Sequence, residues 1–404
     1  MFLELLRLNN YKIYILNMVF LGVAIAITAP YMVIYMTKYH GMTVTGFGLF
    51  MGTGAVGSFI VNTIVGRFSD RLPFDRKYLI LAALFMEVIT YSLFLILNQT
   101  WILVLGFILF YSLGAPAMPQ LYASARESVN DANNKSSNFK TFANTLLRSM
   151  FSFGFLFGPL IGSILLIKYD FMGLFIGAIF MFLTVFVSTL FISNPKRQSE
   201  QDIIPAQMLG ETEAPKLFKT PALLIPFIAF TFLQVGQWSY LLNMPLYVTN
   251  FLGEGNEKVG LLSSICAGLE VPFMIGIGLV ASKYQTKHLL MVAGMIGAMF
   301  FIIVGMFNSF MVILVGQVFL AMFLAVILGL GISYFQDVLP QFPGYASTLY
   351  ANGMIVGQLL GNLMGGLISD YLSVQYSFIA SGIMLIIAVV MFGFEKNEVK
   401  EGIV

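Results

Sequence analysis

The sequence has little of the chemistry on which soluble domains and enzymes depend. Only 10% of its 404 residues are charged, whereas about 25% is usual for a soluble domain. Its single cysteine, Cys266, excludes an internal disulfide framework and a cysteine-built metal site. The two histidines, His40 and His288, have no carboxylate or cysteine neighbour at metal-ligand spacing. We therefore expect no metal and no cofactor, and a net charge of +2 gives no indication of nucleic-acid binding.

Hydrophobic residues make up 58% of the chain. Apolar runs of about twenty residues recur from end to end, and each is long enough to cross the ~30 Å hydrocarbon core of a bilayer. The first run, residues 13–36, is longer than the apolar region of a signal peptide, so we interpret it as a membrane span. The sequence thus predicts a multi-pass membrane protein without a sizeable soluble domain.

These runs predict an all-α protein with twelve transmembrane helices. The predicted spans are residues 13–36, 44–66, 78–97, 101–125, 141–167, 173–193, 221–250, 258–281, 288–307, 310–335, 345–369 and 375–394. One connection is long, residues 194–220, and it contains charges of both signs and three prolines. We expect it to be a cytoplasmic linker between an N-terminal half, residues 1–193, and a C-terminal half, residues 221–404.

The distribution of lysine and arginine predicts the orientation in the membrane. With the N-terminus inside, seventeen of the 21 basic residues fall in inner segments, and only Lys38, Lys168 and Lys258 fall in outer ones. Basic residues are enriched in cytoplasmic loops. Both termini are therefore predicted to be cytoplasmic, in a multi-pass protein of the cell (inner or plasma) membrane.

The two predicted halves resemble each other. Gly48 and Gly66 delimit the second span and lie 18 residues apart, and Gly260 and Gly278 delimit the eighth span with the same spacing. Two six-helix repeats related by an axis along the membrane normal are known from transporters. This spacing favours a transporter built from two six-helix pseudo-repeats.

A charged turn follows the second span. Its residues Gly66, Asp70 and Arg71, followed by Arg76, resemble the signature turn of the major facilitator superfamily, although Pro73 stands where a glycine is usual. In that family the turn makes charge-assisted contacts with neighbouring helix ends and helps to stabilise one conformation. The resemblance implies the major facilitator fold and a conformational role for this turn.

The predicted fifth span contains small residues at a spacing of four. Gly154, Gly158, Pro159 and Gly162 resemble the antiporter motif of facilitator exporters, in which the next position is glycine rather than Ser163. Small residues let helices approach closely, and proline removes a backbone hydrogen bond. The resemblance favours export, and ordinary helix packing is the alternative.

Three further strings narrow the resemblance. AMPQLYASARE (117–127), GLEVP (268–272) and YFQDVLP (334–340) are similar to the bacterial sugar efflux transporter family. This resemblance implies proton-coupled export of small sugars, glycosides or sugar-like solutes by alternating access. The expected partners are the solute, protons and the lipid bilayer, and the expected oligomeric state is a monomer.

Three charged residues lie within predicted spans, where a charge must face a cavity or a partner. A carboxyl group in a low-dielectric cavity favours its neutral form, so Glu270 is our candidate for proton coupling. Arg148 and Glu270 lie about 10 Å and about 16 Å from the cytoplasmic ends of their spans at 1.5 Å per residue. Spans five and eight meet in the family's fold, so we expect a contact between the two that protonation breaks. Glu87 is a second candidate, although its span is peripheral in that fold and a packed neutral acid is the alternative.

A sugar site needs hydrogen-bonding partners for hydroxyls and flat apolar faces. Candidates within the spans are the amide and aromatic residues Asn17, Gln120, Gln234, Gln237, Trp238, Tyr240, Asn243, Tyr350, Asn352 and Gln358. Amide side chains in membrane helices also serve as interhelical hydrogen-bonding groups. Contact with substrate and simple packing therefore both remain open for each of them.

Other functions are less consistent with the sequence. A drug, metabolite or cation exporter on the same fold would use Glu87 and Glu270 as partners for a cation, and it is the main alternative. No nucleophile–base pair or phosphate-binding loop supports an enzyme, and a receptor would usually add a soluble domain. The string GTGAVG (52–57) matches a dinucleotide-binding pattern, but it lies inside a span without a βαβ unit.

Overall fold

The computed structural model describes residues 2–8, 10–68, 75–130, 137–192, 217, 220–281, 283–340 and 342–394. These residues form helices and no β-strands. The helices are α1 (Phe2–Leu5), α2 (Tyr11–Thr28), α3 (Met32–His40), α4 (Val44–Phe68), α5 (Arg76–Ile96), α6 (Thr100–Gly114), α7 (Ala117–Asn130), α8 (Ser137–Leu190), α9 (Pro221–Leu246), α10 (Asn256–Ala281), α11 (Thr286–Met306), α12 (Phe310–Val338), α13 (Pro343–Tyr371) and α14 (Val374–Phe394). A π-helical turn, Tyr247–Phe251, continues α9.

Ten helical segments of this described part are long and apolar enough to cross a membrane. The longest, Leu146–Leu190, covers the predicted fifth and sixth spans and has non-helical backbone at Asp170 (φ 54°, ψ −164°). The predicted eleventh span corresponds to α13, which has 29 residues but is not among the ten, and its sequence contains many glycine, serine and amide residues. The predicted all-helical membrane fold is confirmed, whereas the number of twelve crossings remains a prediction.

Two of the predicted spans are interrupted within their length. The first consists of α2 and α3, with a break at residues 29–31 that contains Pro30. The fourth consists of α6 and α7, with a break at Ala115 and Pro116. Proline cannot donate a backbone hydrogen bond, so it is tolerated at such breaks. Both breaks lie beside the central cavity of the protein.

The helix pairings in the first and second parts of the chain correspond. In the first part α2 packs on α8, α4 on α6, and α5 on both α6 and α8. In the second part α9 packs on α13, α10 on α12, and α11 on both α12 and α14. Two extensive contacts join the parts, one between α4 and α13 and the other between α8 and α10.

The glycines that resemble an antiporter motif lie in the contact between α8 and α2. A Cβ at Gly154 would overlap the carbonyl oxygen of Val19, and a Cβ at Gly162 would overlap that of Ile27. A Cβ at Gly158 would likewise overlap the Cβ of Ala26. The small residues allow the two backbones to approach to a distance that side chains would prevent.

A similar stripe lies in the contact between α13 and α9. A Cβ at Gly357 would overlap the side chain of Gln234, and a Cβ at Gly361 would lie 2.5 Å from the carbonyl oxygen of Val235. The α2–α8 and α9–α13 contacts are therefore packed in the same way, since in each the glycines of one helix lie against the backbone of the other.

The start of α4 and the end of α13 are joined by hydrogen bonds. The two carboxylate oxygens of Asp370 accept hydrogen bonds from the backbone N–H groups of Val44 and Thr45, at 3.0 and 2.8 Å. Gly48 lies directly against the backbone of Asn362 one turn further on. We call this end of the molecule the closed end.

The helices α8 and α10 also touch near the closed end. Gly260 packs against the Pro159 carbonyl oxygen, and Gly268 lies beside Leu156. Further along α10, a Cβ at Gly276 or Gly278 would meet open space. Close contacts thus occur near the start of α10, whereas Gly276 and Gly278 near its end are exposed, and we call that end of the molecule the open end.

The predicted signature turn is described only in part. Gly66 lies in α4, whereas Asp70 and Arg71 lie outside the described residues, as does nearly all of the predicted linker 194–220. The conformational role of the turn therefore remains a prediction.

The basic residues after the turn connect the start of α5 with other helix ends. Arg76 forms an ion pair with Glu127 (2.5 Å) and donates a hydrogen bond to the side-chain oxygen of Gln120 (3.0 Å). Lys77 donates to the carbonyl oxygen of Leu190 at 2.6 Å. These bonds hold α5 against α7 and the end of α8 within the first part of the chain.

Candidate functional site

A cavity of about 570 Å³ lies between helices of both parts of the chain. Most of its lining is apolar, and its volume is in the range of small-molecule sites. Of the thirteen residues predicted to couple protons or bind substrate, five line it: Glu87, Trp238, Tyr240, Glu270 and Gln358. The interruptions of the first and fourth predicted spans lie at its wall, so the cavity is built where two helices lose their regular backbone.

Glu270 lies on α10 and faces the cavity. Arg148 on α8 lies within electrostatic range of it, although the charged atoms form no ion pair within 4.0 Å in the described structure. Arg148 itself is exposed and does not line the cavity. The pairing of Pro159 with Gly260 and of Leu156 with Gly268 places residue 148 near the level of Gly276, at the open end. The structure thus brings the predicted pair near each other without a direct contact.

Glu87 lies on the cavity wall rather than at the periphery that the family resemblance implied. Its side chain is only 7% exposed, and its Oε2 atom has no hydrogen-bond partner. Gly114 on α6 lies so close that a Cβ there would be 2.5 Å from Glu87 Oε1. The hydroxyls of Tyr91 and Tyr111 lie within electrostatic range of the carboxyl group. The absence of a side chain at residue 114 is what allows α5 and α6 to enclose this carboxyl group.

The α9 side of the cavity presents aromatic residues. Trp238 lines the cavity, and its indole N–H is buried without a hydrogen-bond partner. Tyr240 also lines it, and its hydroxyl accepts a hydrogen bond from Gln317 Nε2 at 3.0 Å. Trp238 therefore contributes an aromatic side chain to the cavity wall, whereas its N–H group is covered by the surrounding protein.

Other predicted substrate-binding residues lie outside the cavity lining and bond to neighbouring helices. Asn17 donates to Thr189 Oγ1 at 3.0 Å and accepts a hydrogen bond from Ser188. Gln120 accepts the bond from Arg76 described above. These two amides connect helices of the first part of the chain.

The remaining candidates lie on α9 and α13. Asn243 donates to the backbone of Ser239 and accepts a bond from Ser369, and the Tyr350 ring lies 5.3 Å from that of Phe230. Three further candidates do not line the cavity either: Gln234, Gln237 and Asn352. Both amide atoms of Gln234 and the Oε1 of Gln237 are buried without partners.

The cavity contains polar residues that our sequence interpretation did not include. Ser58 and Asn62 lie one turn apart on α4, and Gln317 and Asn362 lie on α12 and α13. Ser58 Oγ and Asn62 Oδ1 are buried without hydrogen-bond partners. A spacing of four between two polar residues in an apolar helix places both on one face, and this signal could have identified Ser58 and Asn62. Within the described ranges, no group of three or more His, Cys, Asp or Glu residues could hold a metal ion.

Comparisons with known proteins agree on a family of membrane transporters. Residues 14–303 and 227–403 match the model of the Major Facilitator Superfamily. The chain is 28% identical to "Sugar efflux transporter A" of Dickeya chrysanthemi, over 90% of each chain. It is also 28% identical to "Sugar efflux transporter A" of Escherichia coli (strain K12), over 87% of each.

Solved structures with similar folds include two transporters. A crystal structure of the nucleoside transporter NupG superposes with a TM-score of 0.76 at 15% identity, covering 95% of this chain and 96% of that one. The D-xylose-proton symporter superposes with a TM-score of 0.74 at 12% identity, covering 96% and 98%. At such identities the superposition shows a shared fold. The family match, the sequence relatives and the fold together confirm the predicted superfamily, and the chain belongs to the Major Facilitator Superfamily.

Proposed function

We propose that the protein exports small sugars, glycosides or sugar-like solutes in exchange for protons, by alternating access. The observation that carries this proposal is the cavity between the two parts of the chain, which combines an aromatic wall at Trp238 with carboxyl groups at Glu87 and Glu270. Aromatic faces suit the C–H face of a sugar, and carboxyl groups bond its hydroxyls. The names of the sequence relatives support a sugar as the solute and efflux as the direction.

We further propose an architecture of two six-helix halves, residues 1–193 and 221–404, joined by a cytoplasmic linker of residues 194–220. The corresponding helix pairings in the two parts support this division. The proposal includes twelve membrane crossings with both termini in the cytoplasm, in a monomer of the cell membrane. The excess of basic residues in the inner segments supports this orientation.

Proton coupling is assigned in this proposal to Glu270 with Arg148. When Glu270 is ionised, the guanidinium of Arg148 attracts it across the contact between α8 and α10. Protonation removes this attraction, so that the two halves move apart more easily on that side. The exposed position of Arg148 at the open end gives the pair access to water.

The orientation places the open end at the cytoplasm. In that case the described conformation has its cavity accessible from the inside and is closed on the outside by the contacts of Asp370 with the start of α4. An exporter takes up its solute in such a state and releases it after the outer contacts separate.

A second candidate is an exporter of drugs, metabolites or cations. It is favoured by the predominantly apolar lining of the cavity and by two carboxyl groups that could bind a cation, Glu87 and Glu270. Competition experiments separate the two functions, because a sugar exporter is inhibited by glycosides and a drug exporter by lipophilic cations.

The test measures uptake of labelled lactose and methyl thiogalactoside into inside-out vesicles, with and without an acid interior. Wild type and Glu270→Gln are compared side by side. We expect the pH gradient to drive accumulation in the wild type, because protons leave as the sugar enters. In Glu270→Gln we expect accumulation to be lost while exchange of labelled for unlabelled sugar persists, since the glutamine cannot carry the proton.

Three results would contradict parts of the proposal. Gradient-driven uptake of a fluorescent cation without uptake of either sugar would favour the drug exporter. Sugar uptake that is independent of the pH gradient would exclude proton exchange. Unchanged accumulation in Glu270→Gln would remove Glu270 from the coupling mechanism.

A further inference from the structure

Three polar residues of α4 and α5 line the cavity: Ser58, Asn62 and Glu87. Both helices pack on α6 there, since Gly57 lies against Ser112 and Gly114 lies against Glu87. We call them the α4–α5 patch. Each contributes a buried polar atom without a hydrogen-bond partner, namely Ser58 Oγ, Asn62 Oδ1 and Glu87 Oε2. Glu87 is more than nine-tenths buried, at 7% exposure. Three residues with buried, unpartnered polar atoms thus line the same cavity.

Such groups are rare in folded proteins, because a buried polar atom without a partner retains the full cost of its desolvation. Two other hydroxyls of α4 form hydrogen bonds within their own helix. Thr53 donates to the carbonyl oxygen of Leu49 at 3.0 Å, and Thr63 donates to that of Phe59 at 2.8 Å. Ser58 lies between them on the same helix and makes no such bond. The Ser58 hydroxyl is therefore unpartnered on a helix whose backbone carbonyl oxygens accept hydrogen bonds from Thr53 and Thr63.

Glu87 is likewise buried without a partner for its polar group. A buried carboxylate normally has a cationic partner, and here no Lys, Arg or His of the described structure forms an ion pair with it. In a low-dielectric wall without a counter-charge the neutral carboxylic acid is favoured. A neutral acid has one O–H donor and a carbonyl acceptor, as a carboxamide has N–H donors and a carbonyl acceptor. Glu87 can therefore bond hydroxyl groups without carrying a charge.

Aromatic side chains surround the patch. Tyr91 stacks on Phe182 with ring centroids 5.5 Å apart, and Tyr111 stacks on Phe107 at 4.8 Å. All four of these rings line the cavity. They provide flat apolar surfaces next to hydrogen-bonding groups, which is the combination that a sugar ring requires with its hydroxyl edge and its C–H faces.

We propose that Ser58, Asn62 and Glu87 form a hydroxyl-binding subsite for the sugar ring of the transported solute. This inference rests on the proposed function. It assigns solute recognition to residues of α4 and α5 and leaves proton coupling to Glu270 with Arg148. Glu87 binds a ring hydroxyl in its neutral form, and Ser58 and Asn62 bind one adjacent to it.

Binding can be measured directly, because the chain has two tryptophans and only one of them lines the cavity. Trp101 on α6 is 81% exposed, so Trp101→Phe leaves Trp238 as a single fluorescent reporter. The probes are lactose, methyl thiogalactoside and the four monodeoxy analogues of methyl thiogalactoside. Titrations use the purified full-length chain with this background, and thermal unfolding monitors the folding of each variant.

We expect Glu87→Leu to weaken binding of methyl thiogalactoside about tenfold and Glu87→Gln to change it by less than about threefold, since the amide keeps a donor and an acceptor. One monodeoxy analogue should bind the wild type about tenfold more weakly than the parent sugar, and this difference should disappear in Glu87→Leu. Ser58→Ala and Asn62→Leu should each weaken binding about threefold to tenfold. Thr90→Ala serves as a control, because Thr90 is also buried on α5 but bonds its own helix at the Met86 carbonyl.

The possible outcomes distinguish failure of the subsite proposal from failure of the sugar-export proposal. If the wild type binds neither lactose nor methyl thiogalactoside, the sugar-export proposal fails and the subsite fails with it. If the wild type binds them and the Glu87, Ser58 and Asn62 variants bind as tightly as Thr90→Ala, the subsite alone is overturned. Loss of gradient-driven accumulation in Glu87→Gln with unchanged binding would also overturn it, because that result assigns Glu87 to coupling.

Discussion

Gly154 lies where α8 crosses α2, and the carbonyl oxygen of Val19 lies where its Cβ would be. Even a methyl group at this position requires one backbone to move, because backbone atoms cannot rotate away as a side chain can. We expect Gly154→Ala to destabilise the folded protein by about 1–3 kcal/mol, the usual cost of overpacking. The measurement is a thermal unfolding midpoint in detergent.

Gly276→Ala is the matched control, since it makes the same chemical change within α10. A Cβ at Gly276 would meet open space. Alanine is favoured over glycine in a helix by about 0.5–1 kcal/mol, so this variant should be as stable as the wild type or slightly more stable. Equal destabilisation of the two variants would show that the close approach of α2 and α8 does not restrict the size of the residue at position 154.

Residue type alone could not distinguish the cavity from the packing contacts. Asn17 and Gln358 are both amides in predicted spans, yet Asn17 bonds Thr189 between helices whereas Gln358 lines the cavity. The difference depends on which neighbours the tertiary fold supplies, and local sequence does not contain that information. Glu270 was identifiable because a charge in a span requires a cavity or a partner. Ser58 and Asn62 were missed because each is unremarkable when considered alone.

At the scale of helices, the closed end depends on a contact between α13 and α4. Asp370 accepts two hydrogen bonds from the first N–H groups of α4, so a negative charge lies at the positive end of that helix. Such an interaction at an exposed site contributes about 0.3–1 kcal/mol. Asp370→Asn should therefore shift the population about twofold to fivefold towards states in which the closed end is separated. Labelling of Cys266, which lines the cavity, by a membrane-impermeant maleimide from the outer face should accelerate by the same factor.

Asp337→Asn is the control for this change at a helix end. Asp337 is also exposed, and it accepts a hydrogen bond from Thr286 at 2.8 Å, which joins α11 and α12 within the second part of the chain. Because this bond does not join the two parts, its loss should leave the labelling rate unchanged. Equal acceleration in both variants would attribute the effect to general loosening rather than to separation of α4 from α13.

The positions of the helices were predictable because apolar runs of membrane length have few alternatives to helix. The start of α12 at Phe310 and the end of α14 at Phe394 coincide with the predicted limits. The breaks at Pro30 and at Ala115–Pro116 were not predicted, because proline is also compatible with a continuous membrane helix when neighbours compensate. Whether a particular proline interrupts a helix depends on what packs against it, and here both interruptions face the cavity.

For the whole molecule, the contact pattern predicts from which side the cavity is reached. The closed end is held by Asp370 and by the packing of Gly260 on Pro159, whereas Gly276 towards the other end of α10 is uncovered. With the proposed orientation the open end faces the cytoplasm. Cys266 is the only cysteine of the chain and is 8% exposed on the cavity wall, so its reaction rate reports access to the cavity.

A membrane-impermeant maleimide should therefore label Cys266 at least about fivefold faster in inside-out vesicles than in right-side-out vesicles, which corresponds to about 1 kcal/mol in favour of the inward-open state. Saturating lactose should slow the labelling, because the sugar occupies the cavity that the reagent must enter, and Cys266→Ser should abolish it.

Faster labelling in right-side-out vesicles has two explanations, an inverted topology or a resting state that is open to the outside. Asp370→Asn distinguishes them. In an inverted protein Asp370 lies on the inner face, so the variant accelerates labelling in inside-out vesicles. In an outward-open resting state the contact exists only in the minor inward-open state, so the variant slows labelling in inside-out vesicles and leaves the fast labelling in right-side-out vesicles unchanged.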